Sequence, residues 1–296
     1  MLKLQNVNER TWKSLRSSVI AFLPKVRGAG AVALCALLQS KGEEQRAIKM
    51  LTSKSAVHRA RATYLLGLIH TPNLTNNMLP LLEDRSREVR LVATRVLGSV
   101  GAVSAASSVL QALHTKKGFS AIPTWAAVEA LLAMGNEIGS LLETGLKSED
   151  PGVQNVCTLI AGHGTFFTLA PLLRELLTNH TDIVIRINAA VALSKIGGVV
   201  EERVLERCLD ATEPAELRRA CVQALGVIGR AECVDTLVKL LDDNDRRVAQ
   251  LAADSLVQIG ELGYLRLKTV IEEQGRASVA AIGALKLAEL REQVTK

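Results

Sequence analysis

A five-residue ending recurs along most of this chain, and its spacing constrains the fold more than any other feature. The clearest copies are Leu97-Gly-Ser-Val-Gly101, Leu131-Leu-Ala-Met-Gly135, Leu193-Ser-Lys-Ile-Gly197, Leu225-Gly-Val-Ile-Gly229 and Leu256-Val-Gln-Ile-Gly260. Weaker copies are Leu66-Gly-Leu-Ile-His70 and Ile160-Ala-Gly-His-Gly164. Successive endings lie 31, 34, 29, 33, 32 and 31 residues apart. A period near 30 with helical patterning predicts stacked helix pairs, because one pair cannot bury its apolar face without the next. The stretch Leu217–Gly229 shows the pattern most fully. Leu217, Cys221, Leu225 and Ile228 form an apolar stripe at helical spacing. Pro214 stands near the start, where a missing N–H costs little, and Gly229 stands just past the end, where a left-handed residue is wanted.

The residues before each ending repeat as well. Seven positions before the leucine stand Arg59, Arg90, Arg186 and Arg218. Four positions before it stand Ala62, Ala93, Ala127, Val156, Ala189, Cys221 and Ala252, small enough to let two helices approach closely. Acidic turns at Glu83-Asp84, Glu149-Asp150-Pro151, Asp182 and Asp242–Asp245 supply helix caps and favourable charge at helix starts. The expected architecture is an all-α, right-handed solenoid of stacked helix pairs, continuous over residues 1–296. Residues 1–40 form basic capping helices, 41–274 the repeats, and 275–296 a final capping helix that lacks the closing Ile-Gly. Residues 114–124 read as a longer, irregular connection, with Pro123 helping to start the Trp125 helix.

This pattern resembles the HEAT repeat, in the short bacterial form named after phycobilisome lyases, over roughly residues 50–290. The repeated Leu-x-x-Ile-Gly endings and Val/Leu-Arg helix starts carry the resemblance. It implies an α-solenoid whose second helices line a concave binding surface, and an Asp–Arg ladder at the recurring arginines that links neighbouring repeats by hydrogen bonds. The stretch from Trp12 to Leu66, with Lys25-Val-Arg-Gly28 and His58-Arg-Ala-Arg-Ala62, is similar to one in actinobacterial HEAT proteins without a settled activity.

Composition supports a binding protein over an enzyme. Aromatic residues make up 3% of the chain, few for an enzyme of 296 residues but enough for helices packed with Ala, Leu and Val. The five cysteines are dispersed, which implies core thiols in a reduced, cytoplasmic setting. The longest apolar run, Gly28–Leu38, falls short of the ~18 residues of a membrane span and reads as a first solenoid helix. Charge is uneven: residues 1–117 hold 18 Lys+Arg and 6 Asp+Glu, giving +12, and residues 118–296 hold 18 and 24, giving −6.

Catalytic patterns are missing from the sequence. The histidines 58, 70, 114, 163 and 180 form no His-Glu-x-x-His or His-x-x-x-His, and no Cys-x-x-Cys, phosphate-cradling glycine loop or Gly-x-Ser-x-Gly occurs. HEAT enzymes resembling deoxyhypusine hydroxylase need repeated His-Glu pairs, and no histidine here precedes a glutamate. No metal or cofactor is expected.

Two candidate surfaces remain. Residues two and six positions before the repeat leucine share a face. In the N-terminal half that face carries Tyr64, Leu91, Arg95, Trp125 and Glu129, with Arg61 adjoining; in the C-terminal half it carries Gln154, Val191, Gln223, Gln250 and Asp254. Tyr, Trp and Arg favour this face as a site for a protein partner. The second surface is the basic first helix, where Trp12, Leu15, Val19, Phe22 and Leu23 recur at helical steps. Its Lys13, Arg16, Lys25 and Arg27 suit an acidic partner or an anionic membrane at the inner face. The expected function is a non-enzymatic interaction scaffold. A nucleic-acid-binding protein is the alternative, opposed by the acidic C-terminal half, and a chromophore lyase or isomerase has only the repeat type in its favour.

Overall fold

The computed structural model describes residues 8–71, 73–113, 122–163 and 166–295. Among them are 18 α-helices, six short 3-10 turns and no strand, an all-α solenoid architecture. The chain divides into two compact units, Met1–Leu141 and Leu142–Lys296.

The first unit contains α1 (Glu9–Phe22), α2 (Ala29–Ser40), α3 (Glu43–Met50) and α4 (Ala56–Ile69). It continues with α5 (Leu74–Met78), α6 (Arg87–Ser99), α7 (Ala106–Gln111) and α8 (Thr124–Ala133). Helix α9 (Gly139–Leu146) runs across the division. The second unit contains α10 (Pro151–His163), α11 (Ala170–Asn179), α12 (Ile183–Ile196), α13 (Val199–Arg207) and α14 (Ala215–Ile228). It closes with α15 (Val234–Leu240), α16 (Arg246–Ile259), α17 (Glu261–Glu272) and α18 (Ser278–Thr295). The second helices of the pairs stack in succession: α4 on α6 on α8 in one unit, and α10 on α12 on α14 on α16 in the other.

Local chemistry explains the boundaries. Asp245 accepts the N–H groups of Arg247 and Val248 at 2.8 and 3.2 Å, and Asp182 accepts that of Val184 at 2.8 Å, so both satisfy orphan donors at helix starts. Gly229 ends α14 in the left-handed region, with φ +68°. The weaker copy places His70 there at φ +55°, a conformation that side chains seldom adopt. Pro80 lies in a 3-10 turn, Leu79–Glu83, that tightens the end of α5. Most of the expected irregular connection, residues 114–121, lies outside the described residues.

Close approach fixes the register of the stack. A Cβ on Gly98 would stand 2.5 Å from Ala130 Cα, so α6 and α8 meet backbone to backbone. Gly226 meets Ser255 in the same way, and Gly162 meets Ala192. In each of these contacts the residue met directly precedes a repeat leucine. Gly98 and Gly226 directly follow one, so Gly162 must follow the position equivalent to leucine. That position is Ala161, not Ile160: the weak copy runs one residue later than its sequence suggests. Thr158 confirms the shift, donating to Gln154 O as Thr63 and Thr94 donate to Arg59 O and Arg90 O. The small packing position of this repeat is therefore Cys157 in place of Val156. It is buried, as are Ala62, Ala93, Ala127, Ala189, Cys221 and Ala252.

The apolar run Gly28–Leu38 becomes α2, with Leu34, Leu37 and Leu38 buried. Among the described residues no helix is long and apolar enough to cross a membrane.

Candidate partner-binding surfaces

The recurring arginines form a structural ladder within each unit. Arg59 grips Asp84 through Nε and Nη2 at 2.7 and 2.6 Å. Arg186 grips Glu213 with two bonds of 2.8 Å, and Arg218 grips Asp243 at 2.7 and 3.2 Å. Each bond joins one repeat to the turn that opens the next second helix. The same turns stabilise themselves, since Asp84 and Asp243 also accept the N–H groups of Ser86 and Asp245. Arg90 donates to Asp84 O at 2.6 Å. Gln154 takes the arginine position in α10 and donates to Leu146 O at 2.9 Å. It is buried, a correction to its expected place on the exposed face. Where the next turn would carry the acid stands His180, whose Nδ1 accepts the Asp182 N–H at 2.9 Å. The ladder charge is thus missing on both sides at once.

The basic first helix is docked by a buried carboxylate. Glu43, fully buried in α3, accepts from Trp12 Nε1 at 3.0 Å, Arg16 Nε at 2.5 Å and Arg46 Nη1 at 2.8 Å. Trp12 is 1% exposed and lies beneath Lys41 Nζ, 6.0 Å from its ring centre. Leu23 is buried as well, while Phe22 is exposed. Nothing in the basic pattern of α1 pointed to Glu43; the one local sign is the pair Glu43-Glu44 after Gly42.

Docking α1 brings two sets of predicted residues together. Lys13 and Arg16 of α1 and Arg61 and Tyr64 of α4 line one groove of about 720 Å³. His58, absent from the predicted residues, joins them. Ile20, Ala47, Met50 and Leu65 supply an apolar lining. Among the described residues no acidic one lines this groove. Lys25 and Arg27 are exposed and lie outside the groove lining.

A second cluster stands further along the first unit. The Arg95 guanidinium of α6 sits 5.0 Å from the ring centre of Trp125 in α8. Its Nε lies 3.6 Å from Glu129, one turn further on. All three side chains are exposed, Trp125 to 50%. Leu91 is half-buried on the same helix as Arg95. In the second unit Val191, Gln223, Gln250 and Asp254 are exposed.

The thiols are shifted in both directions: a hydrogen bond with Cys221 lowers Cys208, while the others are raised. Burial pushes Cys157 up to about 12 and Cys233 up to about 11. A hydrogen bond with Cys208 and burial hold Cys221 up as well. Among the described residues no group of three His, Cys, Asp or Glu side chains is arranged to hold a metal ion.

A profile of HEAT repeats matches residues 44–132, 139–225 and 202–272. No curated protein matches the chain. Solved structures similar to it include human deoxyhypusine hydroxylase in complex with glycerol, at 19% identity and a TM-score of 0.35, covering 85% of this chain and 99% of that one. Another is the complex of CpcE and CpcF of phycocyanin lyase from a Nostoc species, at 20% identity and a TM-score of 0.33, covering 83% of this chain and 93% of that one. The profile covers well over half of the residues, and the helix pairs and arginine ladder repeat in step with it: the chain belongs to the HEAT-repeat family.

Proposed function

We propose that this chain is a non-enzymatic scaffold that holds another protein on the face formed by its second helices. HEAT repeats commonly serve as protein-interaction modules, which supports a protein partner in general. The observation that carries the reading is the exposed stack of Arg95 on Trp125, closed by Glu129. An indole held in place by a guanidinium gives large contact area at little ordering cost, the character of an interface anchor. The basic first helix adds an anionic contact. Trp12 within it and Leu23 just past its end are committed to the interior, which favours an acidic protein over a lipid surface.

The test is photo-crosslinking in the source cell. A benzophenone amino acid at position 125 should yield one protein adduct. The same group at position 262, where Leu262 is exposed on the first helix of another pair, should not yield it. Nucleic-acid adducts at position 125, or identical adducts at both positions, would reject the reading.

A further inference from the structure

We infer that the groove between α1 and α4 holds an acidic amphipathic helix of the partner protein. This deepens the scaffold reading and rests on it, since it names the chemistry of what the scaffold holds.

Three observations lead to this occupant. The first is charge. Lys13, Arg16 and Arg61 line the groove, and among the described residues no carboxylate does. Arg16 is committed to Glu43, but among the described residues neither Lys13 nor Arg61 has an ion-pair partner. Two cations held beside an apolar trough repel each other weakly and attract any anion that enters.

The second is the lining. Ile20, Met50 and Leu65 supply aliphatic surface between the charged positions, with the exposed Tyr64 beside them. An apolar trough bordered by charge is the setting for helix-in-groove recognition, in which residues at i, i+3, i+4 and i+7 enter the trough and the flanking faces meet the rim. The rim here is cationic, so the matching helix carries Asp and Glu beside its apolar stripe.

The third is recession. Ala47 and Leu65 are only 1% and 4% exposed, and α1 and α4 stand on either side. A flat bilayer meets outward-facing groups, whereas one helix of about 10 Å diameter can lie along a trough lined by two others. A free inorganic anion would leave most of a 720 Å³ groove unfilled.

The probe is a fluorescein-labelled peptide of about 14 residues, about 21 Å long as a helix, with Leu on one stripe and Glu beside it. Fluorescence anisotropy on the full chain reads its affinity. A peptide with Gln for Glu and one with Ser for Leu separate the charged from the apolar contribution. The expected result is binding of the Leu–Glu peptide that weakens with salt and drops about tenfold or more when Lys13→Glu and Arg61→Glu are combined. Tyr64→Ala should weaken it further. Arg16 is left unchanged because its loss would strip Glu43 of a partner. Lys13 and Arg61 are exposed, so the double variant should melt as the parent does; if it does not, Lys13→Gln with Arg61→Gln replaces it.

Failure of the Leu–Glu peptide to bind, equal binding of the Gln peptide, or indifference to the charge reversals would overturn the inference. So would charge-dependent binding to phosphatidylserine vesicles without binding to the peptide. If the peptide fails while the position-125 adduct persists, the groove assignment falls and the scaffold reading stands. If both fail, the scaffold reading falls as well.

Discussion

At position 218 a guanidinium reaches out of α14 to the turn before α16 and finds Asp243, with both side chains under 10% exposed. Buried pairs contribute little over an apolar substitute, but removing one partner leaves a desolvated charge. Arg218→Ala should therefore cost roughly 3 kcal/mol in urea denaturation. Unchanged stability would show that the ladder carries no structural load. Asp84 tests the same ladder through pH. Burial raises its pKa, but hydrogen bonds from Arg59 and the Ser86 N–H outweigh that and hold the carboxyl below its ordinary value. A depressed folded pKa contributes stability that is present above the unfolded value of about 4 and is lost as pH falls through the folded one. Melting temperature should thus fall between about pH 5 and pH 2, and Asp84→Asn, lower at neutral pH, should fall less over that interval. The arginine row was legible in the sequence, and two of its acids, Asp84 and Asp243, lay in turns already marked by acidic residues, but Glu213, the partner of Arg186, lay in none of them. Gln154 was misassigned because its repeat lacks the leucine that sets the count.

At the scale of the helix, the spacing of endings located the second helices well, since 3.6-residue periodicity and a closing glycine are local signals. Ile160-Ala-Gly-His runs one residue later than its sequence suggests because neither Ile160 nor Ala161 is leucine; the contact of Gly162 with Ala192 and the Thr158 bond to Gln154 decide between them. The groove was not legible. Its lining comes mainly from α1 and α4, and α1 is held there because Trp12 and Arg16 bond to Glu43 of α3, partners 31 and 27 residues apart. Periodicity assigned Lys13 and Arg16 to one surface and Arg61 and Tyr64 to another; packing unites them. Glu43→Ala should loosen α1. The chain holds two tryptophans, so a Trp125→Phe background leaves Trp12 as the reporter. Its emission should shift to the red in Glu43→Ala, and the groove peptide should bind more weakly. An unshifted spectrum would show that α1 docks by other contacts.

For the whole molecule, the +12 of residues 1–117 against the −6 of the remainder sorts the candidate partners. Nucleic acid would meet repulsion along the second part of the chain, while a protein with an acidic helix needs only the first unit. The arginine ladder, on this proposal, holds the repeats together while the Arg95–Trp125 stack holds the partner, so the two roles separate by mutation. The measurement is the amount of partner protein co-purified from the source cell with Arg218→Ala and with Trp125→Ala, neither carrying a crosslinker, each compared with the parent chain well below the melting temperature of either variant. The expected result is a lowered melting temperature with near-parental partner recovery for Arg218→Ala, and a near-parental melting temperature with most of the partner lost for Trp125→Ala. Loss of the partner from Arg218→Ala without loss of stability, while Trp125→Ala retains it, would contradict the account.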